Sequence, residues 1–205
     1  NRFEISDWIK DQFVRMGYSN VVVDSFYNED YDIWQRNVIA IKEGSEDTDQ
    51  CVIIGAHYDS IQFGGYQASM LFAPGADDNA SGCAAVLEIA RAMKQVNFSN
   101  KVPIRFCTYA MEEFGLWGSK HDAEMAESNQ LKIRAMINND MIATQLSSDW
   151  VIHLKAYSSG QHLTDLAESL IEQEPNLNYI TSLINSSGSD SWSYWDKGYP
   201  ALYIP

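Results

Sequence analysis

At 205 residues, with 45% hydrophobic and 20% charged side chains, the chain has the composition of a globular domain rather than a disordered segment. Asp and Glu number 28 against 14 Lys and Arg, a formal charge of -14, which excludes the basic surface that a nucleic-acid backbone or an anionic membrane requires. No apolar run approaches the ~20 residues of a membrane span, and Cys51, Cys83 and Cys107 lie at irregular spacing in apolar surroundings, as small buried hydrophobes do.

In chain order, Ser6 stands as an N-cap, and Ile5, Ile9, Phe13 and Met16 recur at helical spacing before Gly17 ends the run. Strand-like runs follow at 21–27, 37–44 and 51–59, the last two joined by the polar turn EGSEDTDQ. A buried-face helix is predicted from Gly82 onward, capped by Asn79 or Ser81. A strand over 102–110, a helix over 117–128 and strands over 134–142 and 151–157 come next. The chain closes with a helix at 162–173, a strand at 178–184, a short helix at 190–198 and a strand at 201–204. Strands alternating with helices predict one layered α/β domain over residues 1–205 around a mostly parallel central sheet.

In such folds ligands gather beyond the carboxyl ends of the strands. There the chain places its unusual polar residues: His57 and Asp59 after one apolar strand, Glu112 and Glu113 after another, and Asp140 after a third. Asp77 and Asp78 sit in GADDNASG, just ahead of a helix. Taken singly, each motif has a plain reading: HxD is common, EE is usually a solvated face, NND a turn, and GADDNASG an N-cap. Together they crowd more acids into one region than a pocket tolerates without a cation. With no cysteine in these loops, imidazole and carboxylate donors suit zinc. A two-metal site needs a bridging carboxylate, terminal ligands and a base that is not a ligand. His57, Asp77, Glu113 and Asp140 are the expected ligands and Glu112 the base, with Asp59 accepting the other ring N–H of His57.

HYDS (57–60), APGADDNASG (73–82), YAMEEFGLWGS (109–119), INNDMIA (137–143) and SGSDSWSYWDKGYPALY (187–203) resemble the zinc aminopeptidases of peptidase family M28, which include secreted bacterial leucine aminopeptidases. The resemblance implies a three-layer α/β/α fold with a mixed, mostly parallel sheet. It implies that His57, Asp77 and Asp140 bind one zinc ion, that Asp77 bridges to a second held by Glu113, and that the Asp77–Asp78 peptide is cis. Peptides with a free N-terminus are the implied substrates, and an extracellular or periplasmic location is implied as well. The family's second metal also takes a histidine from beyond a GYPA-type segment, whereas this chain ends at Pro205 and has Ser191 where histidine often follows the SD pair. His121, His153 and His162 are not replacements by motif, so the second site lacks one ligand. A chain shortened at its C-terminus is expected, and the start at Asn1 without Met fits a processed or cut-down form. Two other readings share the fold, a one-zinc glutaminyl cyclase and an inactive receptor or interaction domain, and a further reading is a carboxypeptidase. The last should bring a basic residue to the pocket, and neither Arg105 nor Arg134 is an obvious candidate.

Overall fold

A computed structural model describes residues 3–46, 48–62, 66–69, 71–144 and 151–205. One eight-stranded sheet runs through it in the order β1-β2-β4-β3-β5-β8-β6-β7. Its strands are β1 (Asn20–Asn28), β2 (Ile33–Lys42), β3 (Gln50–His57), β4 (Ile104–Tyr109), β5 (Lys132–Asn139), β6 (Val151–Ala156), β7 (Asn178–Leu183) and β8 (Ala201–Ile204). The helices are α1 (Glu4–Arg15), α2 (Tyr66–Ser69), α3 (Ala80–Gln95), α4 (Trp117–Ser128), α5 (Gln161–Ile171) and α6 (Ser191–Trp195). The pairs β3–β4, β3–β5, β5–β8 and β6–β7 are parallel, and β1–β2, β2–β4 and β6–β8 are antiparallel. This is the mixed α/β sheet expected.

The central strands are buried on both faces, which is why β3 reads as the unbroken apolar run CVIIGA instead of alternating. Helices α1 and α3 cover one face, where Phe13, Val38, Ile54, Val86 and Phe106 pack together. On the other face α4 and α6 close over Ile53, Met136, Tyr109, Tyr194 and Tyr203. All three cysteines are free and buried, as their surroundings foretold. Ser6 does not cap α1. The helix starts after Phe3, and the buried Ser6 hydroxyl instead donates to the Phe3 carbonyl at 3.0 Å from within the first turn. No helix among the described residues is long and apolar enough to cross a membrane.

The register fixes where the chemistry falls. His57, the last residue of β3, pairs with Tyr109, the last of β4, while Gly55 pairs with Asn138 near the end of β5. The carboxyl ends of three central strands are therefore level. The loops leaving them open on one edge, and α3 begins against it.

Candidate metal centre

His57 is held by the end of β3 with only 1% of its surface exposed. Its Nε2 faces two carboxylates, Asp78 Oδ1 at 3.2 Å and Asp140 Oδ1 at 3.2 Å, with Glu112 Oε2 at 4.0 Å. His57, Asp78 and Asp140 offer ligand atoms all within 4.8 Å of one another. These come from three separate stretches of chain, brought together by the parallel pairing of β3 with its neighbours.

The spacing in GADDNASG favours its first aspartate, Asp77, as the ligand, whereas the structure brings the second, Asp78, to His57. Asp77 is turned away: its carboxylate accepts from the Ala143 N–H at 2.8 Å, from the Ser81 hydroxyl at 3.0 Å and from the Thr144 hydroxyl. Burial pushes its pKa up, but these donors outweigh that and hold it below the usual value. The cis peptide shifts by one residue likewise, lying between Asp78 and Asn79. Asn79 explains why the loop ends where it does. Its Oδ1 caps α3 at the Gly82 N–H (2.9 Å) and accepts from Met141 N (3.3 Å), and its Nδ2 donates to Asn139 O (3.0 Å). One side chain thus fastens the Asp78 loop to the end of β5, where Asp140 sits. Gly82 permits the approach, since a Cβ there would lie 2.2 Å from Asn139 O.

Asp59 lies beneath the cluster in a role different from the expected one. The ring Nδ1 of His57 has the main-chain carbonyl of Asp59 at 3.0 Å, with the carboxylate further off at 3.5 Å. The two carboxylate oxygens instead accept from the backbone N–H groups of Glu112 (3.0 Å) and Glu113 (3.2 Å). The main chain orients the imidazole, and the carboxylate anchors the turn that carries both glutamates. That turn is flanked by Met111, a non-glycine residue with a left-handed φ of 57°. Glu113 stands outside the tight group of three ligands.

Electrostatics follow from burial. Glu112 is pushed up to about 9, first by burial and then by the charge of Asp190; Glu113 rises to about 7, first by burial and then by Asp78. Burial acts to lower the His57 pKa, but its bonds to Asp140, Asp59 and Asp78 raise it well above the ordinary value. Asp190 was not singled out from the sequence, although it stands in the SD pair before α6. It is fully buried, its carboxylate oxygens make no well-formed hydrogen bond among the described residues, and burial lifts it to about 7 against the opposing pull of His57 and the Ser119 hydroxyl. Its neighbour Ser189 donates to Asp140 Oδ2 at 2.5 Å and receives Asn138 Nδ2 at 2.5 Å, steadying the ligand carboxylate from behind. A buried imidazole facing carboxylates on two sides, with Glu112 and Glu113 held above the ordinary carboxylate range and Asp190 buried beside them, makes up a donor set that fits a zinc ion.

The model of peptidase family M28 matches residues 37–205. A leucine aminopeptidase 1 from Fusarium vanettenii is 32% identical over 98% of this chain and 53% of its own length. Among solved structures, LapB from Legionella pneumophila superimposes with a TM-score of 0.81 at 25% identity, covering 98% of this chain and 54% of that one. A glutaminyl cyclase from an Acidobacteriales bacterium shares the fold, with a TM-score of 0.75 at 19% identity over 97% of this chain and 69% of that one. The chain spans about half the length of the curated relatives it matches.

Proposed function

Because the chain belongs to peptidase family M28, we propose that it carries the catalytic centre of a zinc-dependent aminopeptidase. The group of buried His57 and Asp140 with part-exposed Asp78, and Glu112 at 4.0 Å from the imidazole, carries this reading. Those three residues would hold one zinc ion, and Glu113 would be the protein ligand towards a second. Zinc bound there supplies Lewis acidity and lowers the pKa of water at the site.

The remaining steps belong to the chain's own side chains. With a cation bound beside it to bring its raised pKa down, Glu112 would take a proton from the attacking water at its carboxylate and deliver it to the departing amine nitrogen. Asp59 keeps the Glu112–Glu113 turn fixed relative to His57 through its two amide contacts. The surplus of carboxylates attracts the positively charged α-amino group of a peptide and orients its first carbonyl towards the base.

The test is direct. The full chain, loaded with zinc and assayed for bound metal, is expected to hydrolyse leucine p-nitroanilide and to refuse its N-acetylated form. Equal cleavage of the blocked substrate, or full activity after zinc is stripped, would contradict the proposal. Cyclisation of an N-terminal glutaminyl peptide without cleavage of leucine p-nitroanilide would move the assignment to the cyclase.

A further inference from the structure

Between the sheet and α4, towards the end of β4 away from the metal centre, the fold leaves a cavity of about 330 Å³. Its floor follows from strand alternation. Val22 and Asp24 stand two apart on β1, and Ile39 and Ile41 two apart on β2, so each pair shares a face. Val22 pairs with Ile39, and Ile41 pairs with Arg105, which carries that face across three strands. The roof is one stripe of α4, formed by Asp122, Met125 and Ala126. Arg105 lies four residues before Tyr109, about 13 Å back along β4. The cavity is therefore separate from the centre, and none of its lining residues is a candidate metal ligand.

The lining suits a ligand on two counts. Its walls are mostly apolar, yet they include a cation with donors to spare. Arg105 Nη2 donates to Asp122 Oδ1 at 2.5 Å, while Nε and Nη1 have no acceptor among the described residues. A guanidinium carries five N–H groups in a flat fork, and a carboxylate is the acceptor that matches it. Asp24, on the β1 wall, is held by His121 through Oδ2 and keeps 30% of its side chain exposed. A spare cation and a part-exposed acid on apolar walls match the two charged ends of a zwitterion. In a chain of charge -14, a zwitterion is also spared the repulsion that a plain anion meets. The volume is at the lower end of the range for small-molecule sites, about 300–1,000 Å³, so the ligand is small. From this we infer that the cavity binds a free α-amino acid with an apolar side chain. Its carboxylate meets Arg105, its ammonium faces Asp24, and its side chain lies among Val22, Ile39, Ile41 and Met125.

Isothermal titration of the zinc-loaded full chain with L-leucine, 4-methylpentanoate and 3-methylbutylamine tests this. The second probe is leucine without its ammonium group and the third is leucine without its carboxylate. Leucine is expected to bind with a dissociation constant of about 1 mM, the strength open to so small a ligand. The amine should bind at least about tenfold more weakly, having lost the Arg105 contact. 4-Methylpentanoate should bind about three- to fivefold more weakly, the range of a part-exposed charge pair. Val22→Trp, at a rim position 43% exposed, should close the cavity and weaken leucine by at least about tenfold while leaving the melting temperature unchanged. Asp24→Asn should weaken leucine about three- to fivefold and leave 4-methylpentanoate no weaker, and it decides the matter if Val22→Trp lowers the melting temperature. Leucine binding that Val22→Trp leaves intact belongs to the metal centre and overturns the proposal. So does an amine that binds as well as leucine, or no binding at roughly twentyfold the expected constant.

Discussion

Asp122→Asn tests whether the buried charge network beneath the sheet is held by compensation. Arg105 on β4 reaches Asp122 on α4 at 2.5 Å, with the side chains only 17% and 4% exposed. Asp122 also accepts from the Tyr194 hydroxyl at 2.6 Å, and Tyr194 shares a 2.7 Å contact with the Tyr109 hydroxyl. Among the described residues the Arg105 Nε has no partner and Asp122 is the carboxylate that pairs with the guanidinium. An amide of the same shape leaves a buried cation uncompensated, a loss of about 3–5 kcal/mol. For a chain of this length that corresponds to roughly 10 °C in melting temperature. Urea unfolding and a thermal melt read both quantities. The double variant Arg105→Met/Asp122→Leu removes both charges and should cost less than Asp122→Asn alone. A single-variant loss below about 1 kcal/mol, or a double variant worse than the single, would refute the argument.

Three further outcomes are expected. Asp78→Asn should abolish tight zinc binding, whereas Asp77→Asn should keep the metal and lose about 1–2 kcal/mol of stability from the Ala143, Ser81 and Thr144 contacts; metal analysis showing the reverse would restore Asp77 as the ligand. Glu112→Gln should leave zinc content near normal and reduce turnover by about 10²-fold, measured on leucine p-nitroanilide, and unimpaired turnover would remove it from the mechanism. His121 has its pKa raised by a hydrogen bond to Asp24, at 3.1 Å, so the stability it adds is complete below the ordinary histidine pKa and is lost as pH rises through the raised value. With both side chains more than a quarter exposed, the effect stays below about 1 kcal/mol. Asp24→Asn should bring the His121 titration, followed by NMR, back down.

The layered α/β fold was legible because β3, β4 and β5 are apolar runs of strand length separated by long helical or polar segments. The centre was legible because its acids interrupt such runs at their carboxyl ends. Sequence spacing could not choose between Asp77 and Asp78. Neighbouring residues in a loop point in different directions, and the choice depends on Thr144 and Ala143, which meet the loop from across the fold. The same holds for Asp59, where HxD suggests a carboxylate on imidazole. Only the register of β3 beside β4 shows that its oxygens are taken by the Glu112 and Glu113 amides. Asp190 carried a weak signal, an acid in the serine-rich run SSGSDSWS, and its complete burial is a property of the packed interior.

The level ends of β3, β4 and β5 also set the order of events as the chain folds. His57 and Asp140 lie 83 residues apart, and the hydroxyl that steadies Asp140 comes 49 residues later still. Contacts at that separation form only after shorter loops have closed, since each must overcome the entropy of a long segment. A nascent chain carries all three ligands by residue 140 but lacks the hydroxyl that steadies Asp140 until Ser189, by which point most of the sheet has been synthesised. Tight metal uptake at this group would therefore come late, and the fraction of chains holding zinc would count the molecules in which these long-range contacts have formed.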